Sequence, residues 1–120
     1  MLVMIIEDND DLRELMMDVI KHEGYDVVGA RHGQDALERL ARLEDDPSLV
    51  LLDLMMPVMD GMTFLDRARA ASLLPGVPIV VLTALPREVH PQGVKQVVKK
   101  PVSPRALLEI VRDLCPAAPS

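Results

Sequence analysis

The chain alternates between short apolar stretches and longer segments in which apolar residues recur at helical spacing. Five stretches have strand length: 2–6, 25–30, 49–52, 78–82 and 94–98, the last mixed with Lys95 and Gln96. In the segments that follow them, apolar residues recur every three or four positions, which is typical of helices that bury one face. Ser103 and Pro104 supply an N-cap and a first-turn proline for the last helix.

Strands that are apolar throughout are typical of a parallel sheet covered by helices on both faces. Five strand and helix units are too few to close an eight-stranded barrel. We therefore predict an α/β fold with an open, doubly wound, five-stranded parallel sheet. The 120 residues suit a single domain, 1–120, with residues 115–120 as a frayed tail.

The composition limits which binding partners and which cellular compartment are expected for the protein. Thirteen basic residues stand against 19 acidic ones, for a net charge of −6. Without a basic surplus, duplex nucleic acid and anionic membranes are not expected as direct partners. Cys115 is the single cysteine, and the apolar start lacks the basic flank and cleavage site of a signal peptide. We expect a cytoplasmic protein without a membrane span.

Polar residues stand where four of the five strands are predicted to end. They are two acids after the first strand, one acid after the third, a hydroxyl after the fourth and two lysines after the fifth: Glu7, Asp8, Asp53, Thr83, Lys99 and Lys100. Ligands of open α/β sheets bind outside the carboxyl ends of the strands, so these side chains are expected to converge. Carboxylates about 5 Å apart repel by roughly 3 kcal/mol per pair at an effective dielectric of ~20. All-oxygen ligands that need a cation point to Mg²⁺.

A magnesium ion, a lysine and a hydroxyl around one carboxylate provide the charge stabilisation that phosphoryl transfer requires, with Asp53 as the nucleophile. Taken singly, each residue has a plainer interpretation. Asp53 could close a turn, residues 7–11 could be a solvated loop that caps a helix, Thr83 could be a strand residue and the lysines could protect a sheet edge. Their joint occurrence at four strand ends favours a site. The three histidines have no paired spacing and receive no role: His22, His32 and His90.

The sequence at 53–61, Asp-Leu-Met-Met-Pro-Val-Met-Asp-Gly, resembles the receiver domain of two-component response regulators. An upstream Glu-Asp-Asn at 7–9, a Thr-Ala at 83–84 and a Lys-Pro at 100–101 extend the likeness over nearly the whole chain. The resemblance implies a flavodoxin-like strand order, 2-1-3-4-5. It also implies that Asp53 accepts a phosphoryl group from a phosphohistidine on a sensor histidine kinase or a histidine phosphotransfer protein.

The same resemblance implies a metal site. Mg²⁺ would be held by Glu7, directly or through a water molecule, by Asp8 and Asp53, and by the backbone carbonyl of Met55. The implied activity is limited to the domain's own phosphorylation and dephosphorylation, so the protein is not expected to be a turnover enzyme.

The resemblance further implies roles for two residues beyond the metal ligands. Thr83 would hydrogen-bond the phosphoryl oxygens, and Lys100, chosen over Lys99 because it directly precedes Pro101, would pair with them. A change of binding surface would then signal to a downstream protein or to the domain's own dimer.

Three departures from the family pattern stand out. Val97 occupies a position where the family usually has an aromatic residue that rotates inward as Thr83 moves, so this part of the switch is absent or altered. Only nine residues, two of them prolines, separate Thr83 from Gly93, so the fourth helix is predicted to be shortened or missing. Met55 is apolar at a position that, in the family, governs the access of attacking water to the acyl phosphate. Its apolar side chain predicts slow hydrolysis of an acyl phosphate on Asp53.

Two rival functions remain open at this point. A pseudo-receiver would keep the fold as an interaction module without switching; Val97 and the short fourth connection favour it, and the intact acids and lysine oppose it. A metal-dependent phosphatase or nucleotide enzyme on the same sheet would need a glycine-rich phosphate loop or a second acid two residues after Asp53, and the sequence has neither. With no output domain in the 120 residues, the domain would act through a partner unless it is part of a longer protein.

Overall fold

The computed structural model describes residues 1–54, 60–84, 91 and 93–115. Within these ranges five strands and four helices follow one another. The strands are β1 (Leu2–Ile6), β2 (Asp26–Ala30), β3 (Leu49–Asp53), β4 (Ile79–Thr83) and β5 (Gln96–Lys99). The helices are α1 (Asp10–His22), α2 (Gly33–Arg42), α3 (Gly61–Ala70) and α4 (Pro104–Leu114). In this part of the chain, no helix is both long enough and apolar enough to cross a bilayer.

The five strands form one parallel sheet in the order β2-β1-β3-β4-β5, which confirms the predicted fold class and topology. Leu52 of β3 pairs with Ile6 of β1 and with Val81 of β4, so the carboxyl ends of the three central strands lie nearly level. The winding direction reverses between β1 and β3, where open α/β sheets place their ligand crevice.

Successive strand residues point alternately to two separate cores. One core contains Met4, Val50 and Leu52 together with Phe64, and α2 and α3 cover it. The other contains Val3, Ile5, Leu49, Leu51 and helix residues that include Met16 and Leu107, and α1 and α4 cover it. Because both faces of the sheet are buried at its centre, β1, β3 and β4 are apolar at successive positions rather than at every second one, with polar residues only at the ends of β3 and β4.

Some boundaries differ from the sequence prediction. Asp53 and Thr83 are the last residues of their strands rather than the first residues after them, because their backbones still pair with Leu82 and Lys99. β5 begins at Gln96, two residues later than predicted. The prediction of a shortened or missing fourth helix falls on residues 85–90 and 92, which lie outside the described ranges, as do residues 116–120 of the predicted frayed tail. The prediction of a frayed tail is wrong for Cys115, which is buried and whose carbonyl accepts a hydrogen bond from the Tyr25 hydroxyl at 2.8 Å.

The pair Asp60 and Gly61 begins α3 against the end of β3. Asp60 is the N-cap, and its Oδ1 accepts a hydrogen bond from the Thr63 N–H at 2.8 Å. A Cβ at Gly61 would lie 2.8 Å from the Leu54 Cα and 3.0 Å from the Asp53 carbonyl oxygen. Glycine thus lets α3 approach the strand that carries Asp53.

Replacing Gly61 with alanine should lower the free energy of unfolding by about 1–3 kcal/mol, because a backbone atom cannot rotate away from the added methyl group. Urea denaturation measures the loss. Gly29→Ala is the matched control, since the shortest contact of a Cβ there, at 2.6 Å, is with the Sδ of the Met17 side chain, which is flexible and can move. A loss for Gly29→Ala as large as that for Gly61→Ala would contradict the steric explanation.

Candidate metal centre

Three acids and one lysine meet at the carboxyl edge of the sheet. Glu7, Asp8 and Asp53 each place one carboxylate oxygen within 4.8 Å of the others. Glu7 is 2% exposed and Asp53 5% exposed, whereas Asp8 is exposed. The Lys100 Nζ donates a hydrogen bond to the Glu7 Oε1 at 2.7 Å and lies 3.4 Å from the Asp53 Oδ2. The structure therefore brings together acids from the ends of β1 and β3 and a cation that follows β5.

Glu7 is held at both its backbone and its side chain. Its N–H donates to the Ala30 carbonyl at 3.0 Å, and its own carbonyl accepts from the Arg13 Nη1 at 2.9 Å. Its Oε2 accepts from the Asn9 N–H at 3.2 Å, while Oε1 accepts from Lys100. Asn9 is also the N-cap of α1, so the loop from the strand to the helix is only three residues long. A short, pinned loop of this kind gives the carboxylate a defined position.

Thr83 and Lys100 reach the same edge through their backbones. Thr83 ends β4 and is 3% exposed, and its carbonyl accepts a hydrogen bond from the Lys100 N–H at 2.8 Å. Lys99, one residue earlier, is exposed at the end of β5. The Lys-Pro motif favours Lys100 over Lys99, and in the structure Lys100 is the one of these two lysines that contacts the acids.

The remaining sequence candidates lie elsewhere or outside the described residues. Val97 is half-buried on β5, pairs with Val81 and packs against the core beneath α2 and α3. Met55, whose backbone carbonyl was a candidate ligand, is not among the described residues, and neither is His90.

Sequence reasoning gave Arg13 and His32 no role, although both have specific contacts. Arg13 holds the Glu7 carbonyl. His32 is the N-cap of α2, where its Nδ1 accepts a hydrogen bond from the Asp35 N–H at 3.1 Å.

Burial is the largest single influence on the pKa of both Glu7 and Lys100. It raises the pKa of Glu7 to about 7; the Lys100 hydrogen bond opposes this shift, and Asp8 and Asp53 add to it. Burial alone would lower the pKa of Lys100, but Glu7 and Asp53 outweigh it and the net effect raises that pKa. The lysine therefore remains an ammonium ion, and Glu7 holds a proton more readily than it would in water.

The chemistry of these donors fits Mg²⁺. Three carboxylates against one ammonium leave negative charge that a divalent cation balances. Magnesium prefers oxygen ligands at about 2.1 Å in an octahedron, so opposite ligands stand about 4 Å apart. The 4.8 Å span of the three oxygens is close to that size. Glu7, Asp8 and Asp53 thus form an acidic group that can hold a metal ion.

The raised pKa of Glu7 predicts a pH-dependent stability of the metal-free protein. Because the pKa rises from 4.5 to about 7 on folding, Glu7 stabilises the folded state below its unfolded pKa and loses this contribution as the pH rises through about 7. When the pH is raised from about 5 to about 8 in the presence of a metal chelator, the melting temperature should fall more for the wild type than for Glu7→Gln. Differential scanning calorimetry measures both slopes, and equal slopes would refute the prediction.

Comparison with known proteins places these features in a family context. The family model described as the response regulator receiver domain matches residues 3–112. The chain is 32% identical to an uncharacterized 14.6 kDa protein of Leptolyngbya boryana, over 98% of this chain and 92% of that one. It is 36% identical to the DNA-binding response regulator MtrA of Mycolicibacterium smegmatis over 92% of this chain, and spans only 48% of that protein.

Solved structures show the same architecture. The Vibrio cholerae chemotaxis protein CheY4 superposes with a TM-score of 0.81 at 26% identity, over 94% of this chain and 97% of that one. The response regulator protein TrrA of Thermotoga maritima, solved in complex with Mg²⁺-BeF, superposes with a TM-score of 0.79 at 25% identity and the same coverage. The likeness therefore includes a protein whose structure was determined with magnesium.

Proposed function

The chain belongs to the response regulator receiver domain family, and from that premise we propose that Asp53 accepts a phosphoryl group in a Mg²⁺-dependent reaction. Response regulators partner with histidine kinases and downstream effectors. The proposed donor is accordingly a phosphohistidine on a sensor histidine kinase or a histidine phosphotransfer protein. The observation that carries the proposal is the Lys100 ammonium, which contacts both Glu7 and Asp53 within an acidic group that fits a metal.

Asp53 is the proposed nucleophile. One of its carboxylate oxygens attacks the phosphorus, the P–N bond to the imidazole breaks, and the bonding electrons pass to the imidazole nitrogen, which takes up a proton from solvent. The product is an acyl phosphate on Asp53. Because Asp53 is only 5% exposed, its carboxylate is poorly solvated and has little hydration to lose before it attacks.

The surrounding side chains would stabilise the charge of the transferring group. Lys100 is already 3.4 Å from the Asp53 Oδ2 and is proposed to pair with a phosphoryl oxygen. Thr83, at the end of the neighbouring strand, is proposed to donate a hydrogen bond from its hydroxyl to another phosphoryl oxygen. Glu7, Asp8 and Asp53 would hold Mg²⁺, with the Met55 carbonyl as a further proposed ligand. When bound, the ion supplies positive charge to the phosphoryl oxygens.

Attack of water on the acyl phosphate would release inorganic phosphate and return the free carboxylate. The proposed chemistry is thus the domain's own phosphorylation and dephosphorylation, and its output is a change of binding surface for a downstream effector or for a second copy. Val97 is aliphatic and packs against a buried core. The proposed signal therefore does not depend on the rotation of an aromatic ring at that position.

Incubation with a small acyl phosphate donor, with and without Mg²⁺, tests the proposal. Intact mass measurement should show the addition of one phosphoryl group only when Mg²⁺ is present. Peptide mapping should place the group at residue 53, and hydroxylamine should remove it, since an acyl phosphate is cleaved where a phosphate ester is not. Absence of an adduct under all conditions would favour the pseudo-receiver, an interaction module with the same fold.

A further inference from the structure

We infer that Arg13 is a positioning residue for the metal centre, an inference that rests on the proposed function. The Arg13 side chain is only 13% exposed, although it lies in the first turns of α1. Its Nη1 donates to the Glu7 carbonyl at 2.9 Å, and its Nη2 donates to the Asp10 Oδ1 at 2.6 Å. One guanidinium thus joins the beginning of the helix to the residue that starts the metal-binding loop.

This contact restrains the loop at the Glu7 carbonyl, where the chain leaves the strand. The Glu7 N–H is fixed by the sheet through Ala30, and Asn9 is fixed as the N-cap of α1. The Glu7 carbonyl has left the strand ladder, and Arg13 supplies its side-chain partner. A planar guanidinium makes two hydrogen bonds in a fixed relative orientation, so it sets the direction of the Glu7 carbonyl and of the peptide plane that leads to Asp8.

The neighbouring strand leaves room for Arg13. Gly29 of β2 faces α1, and a Cβ at this position would lie 3.2 Å from the Arg13 Cδ and 2.6 Å from the Met17 Sδ. The arginine stem therefore lies over a glycine. Side chains or backbone from β1, α1 and β2 together keep the guanidinium buried beside the loop instead of in solvent.

Loss of this restraint should weaken Mg²⁺ binding more than it slows phosphorylation at saturating Mg²⁺. Glu7 and Asp8 must hold their carboxylates in one arrangement to bind an octahedral ion. Groups that orient metal ligands typically change affinity by about 10–100-fold when they are removed. Arg13 does not belong to the acidic group itself, so saturating Mg²⁺ should restore the phosphorylation rate.

The experiment titrates Mg²⁺ into the metal-free protein by isothermal calorimetry. Arg13→Met should raise the dissociation constant about 10-fold, and Arg13→Lys, which keeps a donor and the charge, should raise it less. Asp10→Asn is the matched control, because it removes the negative charge of the ion pair but keeps an Oδ1 that can accept the Arg13 hydrogen bond, and it leaves the bond to Glu7 in place; its Mg²⁺ affinity should stay within about twofold of wild type. In phosphorylation assays, Arg13→Met should shift the Mg²⁺ concentration for half-maximal rate without lowering the plateau.

The outcomes separate the inference from the proposed function. If the wild type binds no Mg²⁺, the proposed function fails and the inference fails with it. If the wild type binds Mg²⁺ and Arg13→Met binds equally well, or loses only the plateau rate, the inference fails and the proposed function stands. Should Arg13→Met not fold, as circular dichroism would reveal, Arg13→Lys decides: an affinity equal to wild type overturns the inference, and a loss reversed at high Mg²⁺ supports it.

Discussion

Replacing Asp53 with asparagine is expected to reduce the phosphate adduct to background. The amide keeps nearly the same volume, but its oxygen carries no negative charge and does not attack phosphorus as a carboxylate does. The substitution also removes one of the three acids that can hold the metal ion. Intact mass measurement after incubation with the small donor and Mg²⁺ gives the yield for both proteins over time.

Asp60→Asn provides the control for that experiment. Asp60 stands in the same motif, is exposed, and acts through its side chain as the N-cap of α3. Asparagine caps helices about as well as aspartate, so this variant should fold normally and take up phosphate at the wild-type rate. An adduct of wild-type yield on Asp53→Asn would mean that another residue is the acceptor and would refute the assignment.

Much of this site could be predicted because the sheet forces its strand ends together. An aspartate that interrupts an apolar strand at position 53 is visible in the sequence, and so is the Glu7 and Asp8 pair after the first strand. Once the strands are parallel, their carboxyl ends share one edge, whatever the loops do. The observed approach of Lys100 to Glu7, 93 residues away along the chain, follows from strand order rather than from any local pattern.

Contacts that depend on side-chain direction could not be predicted in the same way. In the sequence, Arg13 and Asp10 are an ordinary pair three residues apart on a helix, and such pairs usually lie in solvent. In the structure, the Arg13 stem passes over Gly29 and its guanidinium donates to the Glu7 carbonyl. Likewise, Gly61 in the sequence indicates only a turn. In the structure this position has no space for a Cβ, because α3 begins in contact with Leu54.

Replacing Lys100 with methionine is expected to slow phosphorylation about 100-fold at saturating Mg²⁺, with Asp53 still the acceptor. Methionine keeps most of the apolar stem and removes the ammonium that lies 2.7 Å from Glu7 and 3.4 Å from Asp53. Loss of one preorganised donor to a developing charge typically costs 10²–10³-fold in rate. Initial rates with the small donor, measured at several Mg²⁺ concentrations, give the effect on chemistry separately from that on metal binding.

Lys99→Met is the matched control, since it makes the same change of charge one residue earlier on an exposed side chain. Its rate should stay within about twofold of wild type, because an exposed charge beyond the site is screened by solvent and salt. Equal slowing by both variants would assign the effect to the charge of this sheet edge and not to the Lys100 contact.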